Sequence, residues 1–196
     1  MVRGAKRGWM QRNGGVLLDE ACKMFDVIRE DLARISRPTF LNAVKWYLLP
    51  KGECFPLNVW LRVVQFCRRH AAMRPFPLSW AYSLLAVAAY PFYRHYEFKF
   101  GVHPNANAEI GGGLRVVHGP CSLNAARIGR NFTVYPGVTV GRHRNALPSI
   151  GDNVSIYPNS IVVGGIEIGN DAVIGALSYV DRDVASGAKI KGRVLP

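Results

Sequence analysis

The sequence predicts an α+β chain, with helices in the N-terminal half followed by a parallel β-helix. Three observations carry this. Ile150, Ile156, Val162, Ile168, Ile174 and Val180 recur every six residues without a break. From about Val16 to Tyr93 apolar residues instead recur at steps of three and four. From Gly101 the chain is rich in Gly, Val, Ile and Asn and has almost no helical spacing.

The helical half reads as four segments. Leu17, Ala21, Met24, Phe25, Ile28 and Leu32 form one amphipathic face. The stretch "SRPTFLNAVKWYLLP" restarts a helix that Pro50 stops, and "PLNVWLRVVQFCRRH" reads as a third. Residues 75–93 contain no charge and form the fourth. Nineteen residues can just span a bilayer, but Pro75, Pro77 and Pro91 crowd the ends, leaving too short a helix between them. Packing on protein is the simpler reading. Trp80, Tyr82, Tyr90, Tyr93 and Arg94 also suit peripheral contact with a membrane interface.

In the second half the six-residue step runs backward through Val140, Val134, Ile128, Ser122, Val116 and Ile110, and only Ser122 breaks the aliphatic character. A flat sheet alternates every two residues and a helix every 3.6. A period of six fits a chain that turns a corner after each short strand, three sides making one triangular coil. The aliphatic residue points into the prism. Val138, Val154, Ser160, Ala172 and Ser178, four positions after it, give each side a second inward residue. The Gly of each "IG" pair suits a corner with unusual dihedrals or close approach. Between Val140 and Ile150 the step is ten, so four residues are inserted in "GRHRNALPS". The expected organisation is a basic tail over 1–15, a helical region over 16–98 and a β-helix domain over 99–196.

The formal charge is +12, and residues 1–100 carry 16 Lys+Arg against 7 Asp+Glu. This balance favours anionic partners. It points to no nucleic-acid motif. The basic, glycine-rich start has no apolar run after it and does not read as a signal peptide. Cys22, Cys54, Cys67 and Cys121 lack metal-ligand spacing, so reduced thiols in a cytoplasm are expected. The basic, aromatic first half would also suit the inner face of the cytoplasmic membrane.

The motifs "FDVIREDLARI", "FGVHPNANAEIGGGLRVVHG" and "YPGVTVG" carry a family resemblance. The chain resembles the hexapeptide-repeat acyltransferases, and within them the serine acetyltransferase branch, close to polysaccharide O-acetyltransferases. The resemblance implies a left-handed β-helix, acetyl-CoA as donor, a hydroxyl acceptor and a homotrimer with sites between neighbouring prisms. The family's catalytic histidine maps onto His118, at a corner two residues after the inward Val116. There a neutral imidazole would take the proton of the attacking hydroxyl. His143, flanked by Arg142 and Arg144, offers a second histidine, and the two arginines offer contacts to an acidic sugar. Gly119 and Gly141 are candidate backbone donors to the oxyanion. Gly141, Ala176, Lys189, Lys191 and Arg193 are the candidate contacts to CoA. In place of the family's small residue after Ala176 stands Leu177.

Three departures bear on the acceptor. The family has Asp where this chain has Gly101 and Val117, and "RHP" where it has Ala146-Leu147-Pro148. These lost groups bind the amino-acid substrate or orient the base. The expectation is therefore transfer to a neutral hydroxyl on a sugar or polysaccharide precursor. Serine O-acetylation in cysteine synthesis and a non-catalytic trimeric scaffold are the alternatives. A zinc centre of this fold needs three histidines, two close in sequence, and no metal is expected.

Overall fold

A computed structural model describes residues 20–49 and 53–192. The predicted basic tail and Arg193 lie outside these residues. Four helices come first: α1 over 20–33, α2 Phe40–Leu48, α3 Phe55–Met73 and α4 Leu78–Phe100. Thr39 caps α2, its hydroxyl accepting from the Asn42 N–H at 3.3 Å. Gly101, at φ 64°, ends α4 by donating its N–H to the Phe98 carbonyl at 3.3 Å. Pro91 does not end the helix, contrary to the sequence expectation, but lies inside α4. The hydrogen bond it forgoes would have gone to Val87, on the exposed side of the helix, where water can serve the carbonyl. Among the described residues, no helix is long and apolar enough to cross a membrane.

From Val102 the chain winds through fourteen short strands in three parallel sheets. Sheet I stacks β1 Val102–Pro104, β4 Cys121–Leu123, β7 Thr139–Gly141, β10 Ile161–Val163 and β13 Tyr179–Val180. Sheet II stacks β2 Glu109–Ile110, β5 Arg127–Ile128, β8 Ser149–Ile150 and β11 Glu167–Ile168. Sheet III stacks β3 Arg115–Val116, β6 Thr133–Val134, β9 Ser155–Ile156, β12 Val173–Ile174 and β14 Lys189–Ile190. The chain visits sheets I, II and III in turn, making a parallel β-helix. Its interior is what the period of six requires. Val134, Val140, Ile156, Val162, Ile168 and Ile174 are fully buried, as are Val138, Val154, Ser160 and Ala172 four positions after such residues. Each buried Val or Ile side chain contributes about 1.5–3 kcal/mol. The two inward serines are satisfied: Ser160 Oγ and Ser178 Oγ both donate to the Gly175 carbonyl, at 2.8 and 2.6 Å.

The structure resolves the Ser122 anomaly. Leu123, not Ser122, stands in register with Val140 and is fully buried. The corner between β3 and β4, which holds His118, is one residue longer than its neighbours, and the next side is one shorter. The two offsets cancel, so the step of six resumes at Ile128.

The glycines of the "IG" pairs serve close approach rather than unusual dihedrals. A Cβ on Gly129 would lie 2.5 Å from the Gly151 carbonyl carbon of the next coil. The left-handed backbone falls two residues later, at Asn131, Asn153 and Asp171 with φ of 56°, 58° and 59°. Their side chains form a ladder: Asn131 Nδ2 donates to Asn153 Oδ1 at 3.0 Å, and Asn153 Nδ2 to Asp171 Oδ1 at 2.9 Å. Asn and Asp tolerate this conformation better than other side chains do.

The first coil would expose unpaired backbone groups at its open end. The helices cover them. Asp31 on α1 and Arg62 on α3 form a buried ion pair at 3.0 Å. Arg62 also donates to the carbonyls of Ile110 and Gly111, at 2.6 and 2.7 Å, and Asp31 accepts from the Leu114 N–H at 2.8 Å. Asn58 Nδ2 donates to the Leu114 carbonyl, Gln65 Nε2 to that of Ala108 and Tyr93 Oη to that of Pro104. The helical half is thus the cap of the β-helix.

Candidate active site

The corner between sheets III and I holds His118. The residue is exposed and sits at φ 61°. Positive φ is uncommon outside glycine, although histidine is among the residues enriched there. The backbone on either side is held: the Val117 N–H donates to the Val134 carbonyl at 2.9 Å, and the Cys121 N–H to the Gly101 carbonyl at 3.0 Å. The end of α4 presses on the same corner. A Cβ on Gly119 would lie 1.7 Å from the Phe100 carbonyl oxygen, so only glycine fits.

Three coils further along this corner lie Ala176 and Leu177, both exposed, with Leu177 at φ 59°. The next coil closes tightly over them, since a Cβ on Gly192 would lie 1.6 Å from the Ala176 oxygen. Lys191 precedes that glycine, Lys189 pairs in register with Val173, and both lysines are exposed. Three of the predicted residues, His118, Ala176 and Lys191, therefore line up along one corner of the prism, with Lys189 beside them on β14 of sheet III. At about 4.8 Å per coil, roughly 14 Å separates the histidine from Ala176 along the axis.

The remaining predicted residues lie at the corner between sheets I and II. Gly141 ends β7, and Arg142, His143 and Arg144 follow it, all three exposed. The four inserted residues form a tight hairpin rather than an open loop. His143 and Ala146 exchange backbone bonds of 3.1 and 3.0 Å, with Arg144 and Asn145 between them at φ 47° and 62°. The stem packs on the next coil, where a Cβ on Gly165 would lie 2.7 Å from the Ala146 Cβ. His118 and His143 thus stand at different corners, separated by the width of sheet I. Within one chain the structure does not bring them together. Five surface clefts of the single chain are lined by neither histidine.

Sequence reasoning passed over three residues beside the His118 corner. Glu97, buried in the last turn of α4, receives His103 Nδ1 at 3.0 Å and also bonds Arg94. His103 itself is half exposed and pairs across sheet I with Ser122. Glu53 forms an antiparallel bridge with Val117, the residue before His118, and its Oε1 accepts from Arg115 at 2.8 Å. The signal was present on α4, because Ala89, Tyr93 and Glu97 follow a step of four and place an acid within the buried stripe.

All four cysteines are free, and burial pushes the thiols of Cys54 and Cys121 up to about 12. Among the described residues, no three His, Cys, Asp or Glu side chains gather as a metal centre.

The family described as "Bacterial transferase hexapeptide (six repeats)" matches residues 148–182. The matched stretch runs from β8 to β13 of the β-helix. A serine acetyltransferase of Staphylococcus xylosus is 37% identical over 106 residues, which are 49% of this chain and 47% of that protein. One from Staphylococcus aureus is 36% identical over 106 residues, 49% of this chain and 48% of its own. The chain spans about half the length of the curated relatives it matches. Among solved structures, serine acetyltransferase isoform 3 of Entamoeba histolytica in complex with cysteine superposes with a TM-score of 0.67 at 17% identity, over 92% of this chain and 62% of that one. The Neisseria gonorrhoeae serine acetyltransferase in complex with serine gives 0.62 at 23% identity, over 86% and 66%. At these identities the superpositions speak for the fold. The fold of the β-helix together with its helical cap is similar to that of these serine acetyltransferase structures.

Proposed function

We propose that the protein is an acetyl-CoA-dependent O-acetyltransferase in which His118 is the general base. The observation that carries this reading is an exposed histidine whose flanking backbone is held at a corner of the β-helix, in line with Ala176 and beside Lys189 and Lys191. Imidazole as a class changes charge near neutral pH, which suits it to accept a hydroxyl proton as the new ester bond forms. The proton moves to the ring nitrogen, the hydroxyl oxygen attacks the thioester carbonyl, and collapse of the tetrahedral oxyanion expels the CoA thiolate. Lysines at the far end of the corner offer positive charge to the phosphates of CoA. An assembly of three chains, as the resemblance implies, would set the His118 corner of one chain against the His143 corner of the next.

For the acceptor, the relatives named serine acetyltransferase support L-serine over the saccharide that the sequence put first. Glu97 and Glu53 supply a physical reason. Acids are missing at Gly101 and Val117, but Glu97 bonds His103, two residues past Gly101, and Glu53 bridges to Val117. The helical cap thus sets two carboxylates against β1 and β3, on either side of the His118 corner. A neutral saccharide hydroxyl remains the second reading, because both carboxylates already have cationic partners. CoA release by purified protein decides between them. Saturable turnover with L-serine at least tenfold above that with oligosaccharides or nucleotide-sugars is expected, and the reverse order would establish the saccharide reading.

A further inference from the structure

The helical cap carries two apolar faces that nothing in the chain covers. On α4 the packed side runs through Ala89, Tyr93 and Glu97. The opposite ridge, Trp80, Leu84 and Val87, is bare, at 61%, 50% and 70% exposure. On α2, an amphipathic helix, no residue is buried, and Phe40 and Leu48 are 82% and 67% exposed. Aromatic contacts tie the two helices into one body. Trp60 Nε1 donates to Tyr47 Oη at 3.0 Å, the Trp60 and Phe92 rings stack at 4.6 Å, and Tyr47 meets Tyr96 at 6.0 Å. Bare apolar surface of this kind marks an interaction site.

The segment that carries these faces is strongly basic. Residues 37–99 carry nine Lys+Arg against two Asp+Glu. Both acids are already paired, Glu53 with Arg115 and Glu97 with Arg94 and His103. Among the described residues, Arg37, Lys45, Arg69, Arg74 and Lys99 form no ion pair. Lys99 lies over the ring of Tyr96, and Arg94, although paired with Glu97, lies over that of Phe98. Aromatic rings beside cations on a helix that also carries an exposed apolar ridge are the pattern of a surface that rests in a lipid headgroup layer. A second copy of the same face would bring like charges together, whereas an anionic bilayer offers both negative charge and an apolar layer. Because α4 is packed on one side and too polar at its end to cross a membrane, it would lie in the interface plane.

We propose that the outer face of the helical cap docks on an anionic lipid bilayer, with Trp80, Leu84 and Val87 entering the headgroup boundary and the unpaired cations meeting lipid phosphates. The inference is independent of the acceptor and of the acetyl-transfer chemistry. The test is flotation of the full chain with vesicles of phosphatidylcholine containing about one quarter phosphatidylglycerol, against phosphatidylcholine alone. Binding to the anionic vesicles that weakens with added salt is expected. Trp80→Glu with Leu84→Glu should lower it about tenfold or more while leaving CoA release and far-UV circular dichroism unchanged. A second measurement uses conservative chemistry. Trp80→Phe should keep the binding but reduce quenching of tryptophan emission by brominated lipid. Absence of binding to anionic vesicles would overturn the proposal. So would equal binding by the double glutamate variant, or a solution assembly that halves in mass when Trp80 is changed, since a second copy would then own the face.

Discussion

His118 stands on a corner with one residue more than the corners stacked on it, and that extra residue explains how an exposed imidazole and a closed core coexist. Leu123 fills the prism where the regular count would place Ser122. The shifted register makes a sharp prediction. Leu123→Ala should destabilise the fold by about 2–5 kcal/mol, the ordinary cost of emptying a core leucine site. Ser122→Ala should change stability by no more than about 0.5 kcal/mol. Chemical denaturation of both variants checks it, and equal effects would contradict the register. At this scale the sequence was legible wherever a side chain repeats by period, as at Ile156, Val162 and Ile174. It was not legible at Ser122, because a long corner and a short side cancel and leave the phase intact on both flanks. His103, Glu97 and Glu53 escaped for another reason. Their pairings join residues that the period of six does not relate, across the junction between helices and coil.

The helical cap and the β-helix meet through polar backbone contacts as much as through apolar packing. Arg62 and Asp31 replace, on the first coil, the hydrogen bonds that a preceding coil would have made. Arg62→Met should therefore cost about 3–5 kcal/mol, because it leaves the Asp31 carboxylate buried beside an unpartnered edge. Denaturation read by circular dichroism measures the loss, and a near-neutral variant would show that the cap does not depend on the pair. Elsewhere in the cap, the His70 ring lies between Phe66 and Tyr82 with neither nitrogen hydrogen-bonded. Burial lowers its pKa; Glu20, 3.9 Å away, opposes the shift, and Arg74 and Arg69 add to it. The unfolded chain therefore binds the proton more readily, so stability is present above the ordinary imidazole pKa near 6.5 and declines as pH falls below it. Melting temperature should drop between pH 7 and 5.5, and His70→Phe should flatten the drop. An unchanged slope would contradict the assignment. The helices themselves followed from spacing, but the span of α4 did not, because a proline near an exposed turn ends a helix only when its lost bond has no replacement.

Over the whole molecule, the candidate residues divide between two corners of the prism, His118 with Ala176 and Lys191 on one, with Lys189 on the adjoining strand, and Gly141 and the His143 hairpin on the other. The sequence pointed to each group through its motif, but their separation depends on the order in which the coil visits the three sheets. That separation means that the proposed site, if it uses both histidines, needs a neighbouring chain, and assembly size is therefore held constant when catalysis is tested. The most direct measurement is the initial rate of CoA release from acetyl-CoA, with L-serine and with saccharide acceptors, by the wild type and by His118→Ala at matched assembly size. Turnover by the wild type with one acceptor class and a fall of about two to four orders of magnitude in the variant is the predicted result. Equal rates for the two proteins, or no turnover by the wild type with any hydroxyl acceptor, would contradict the account.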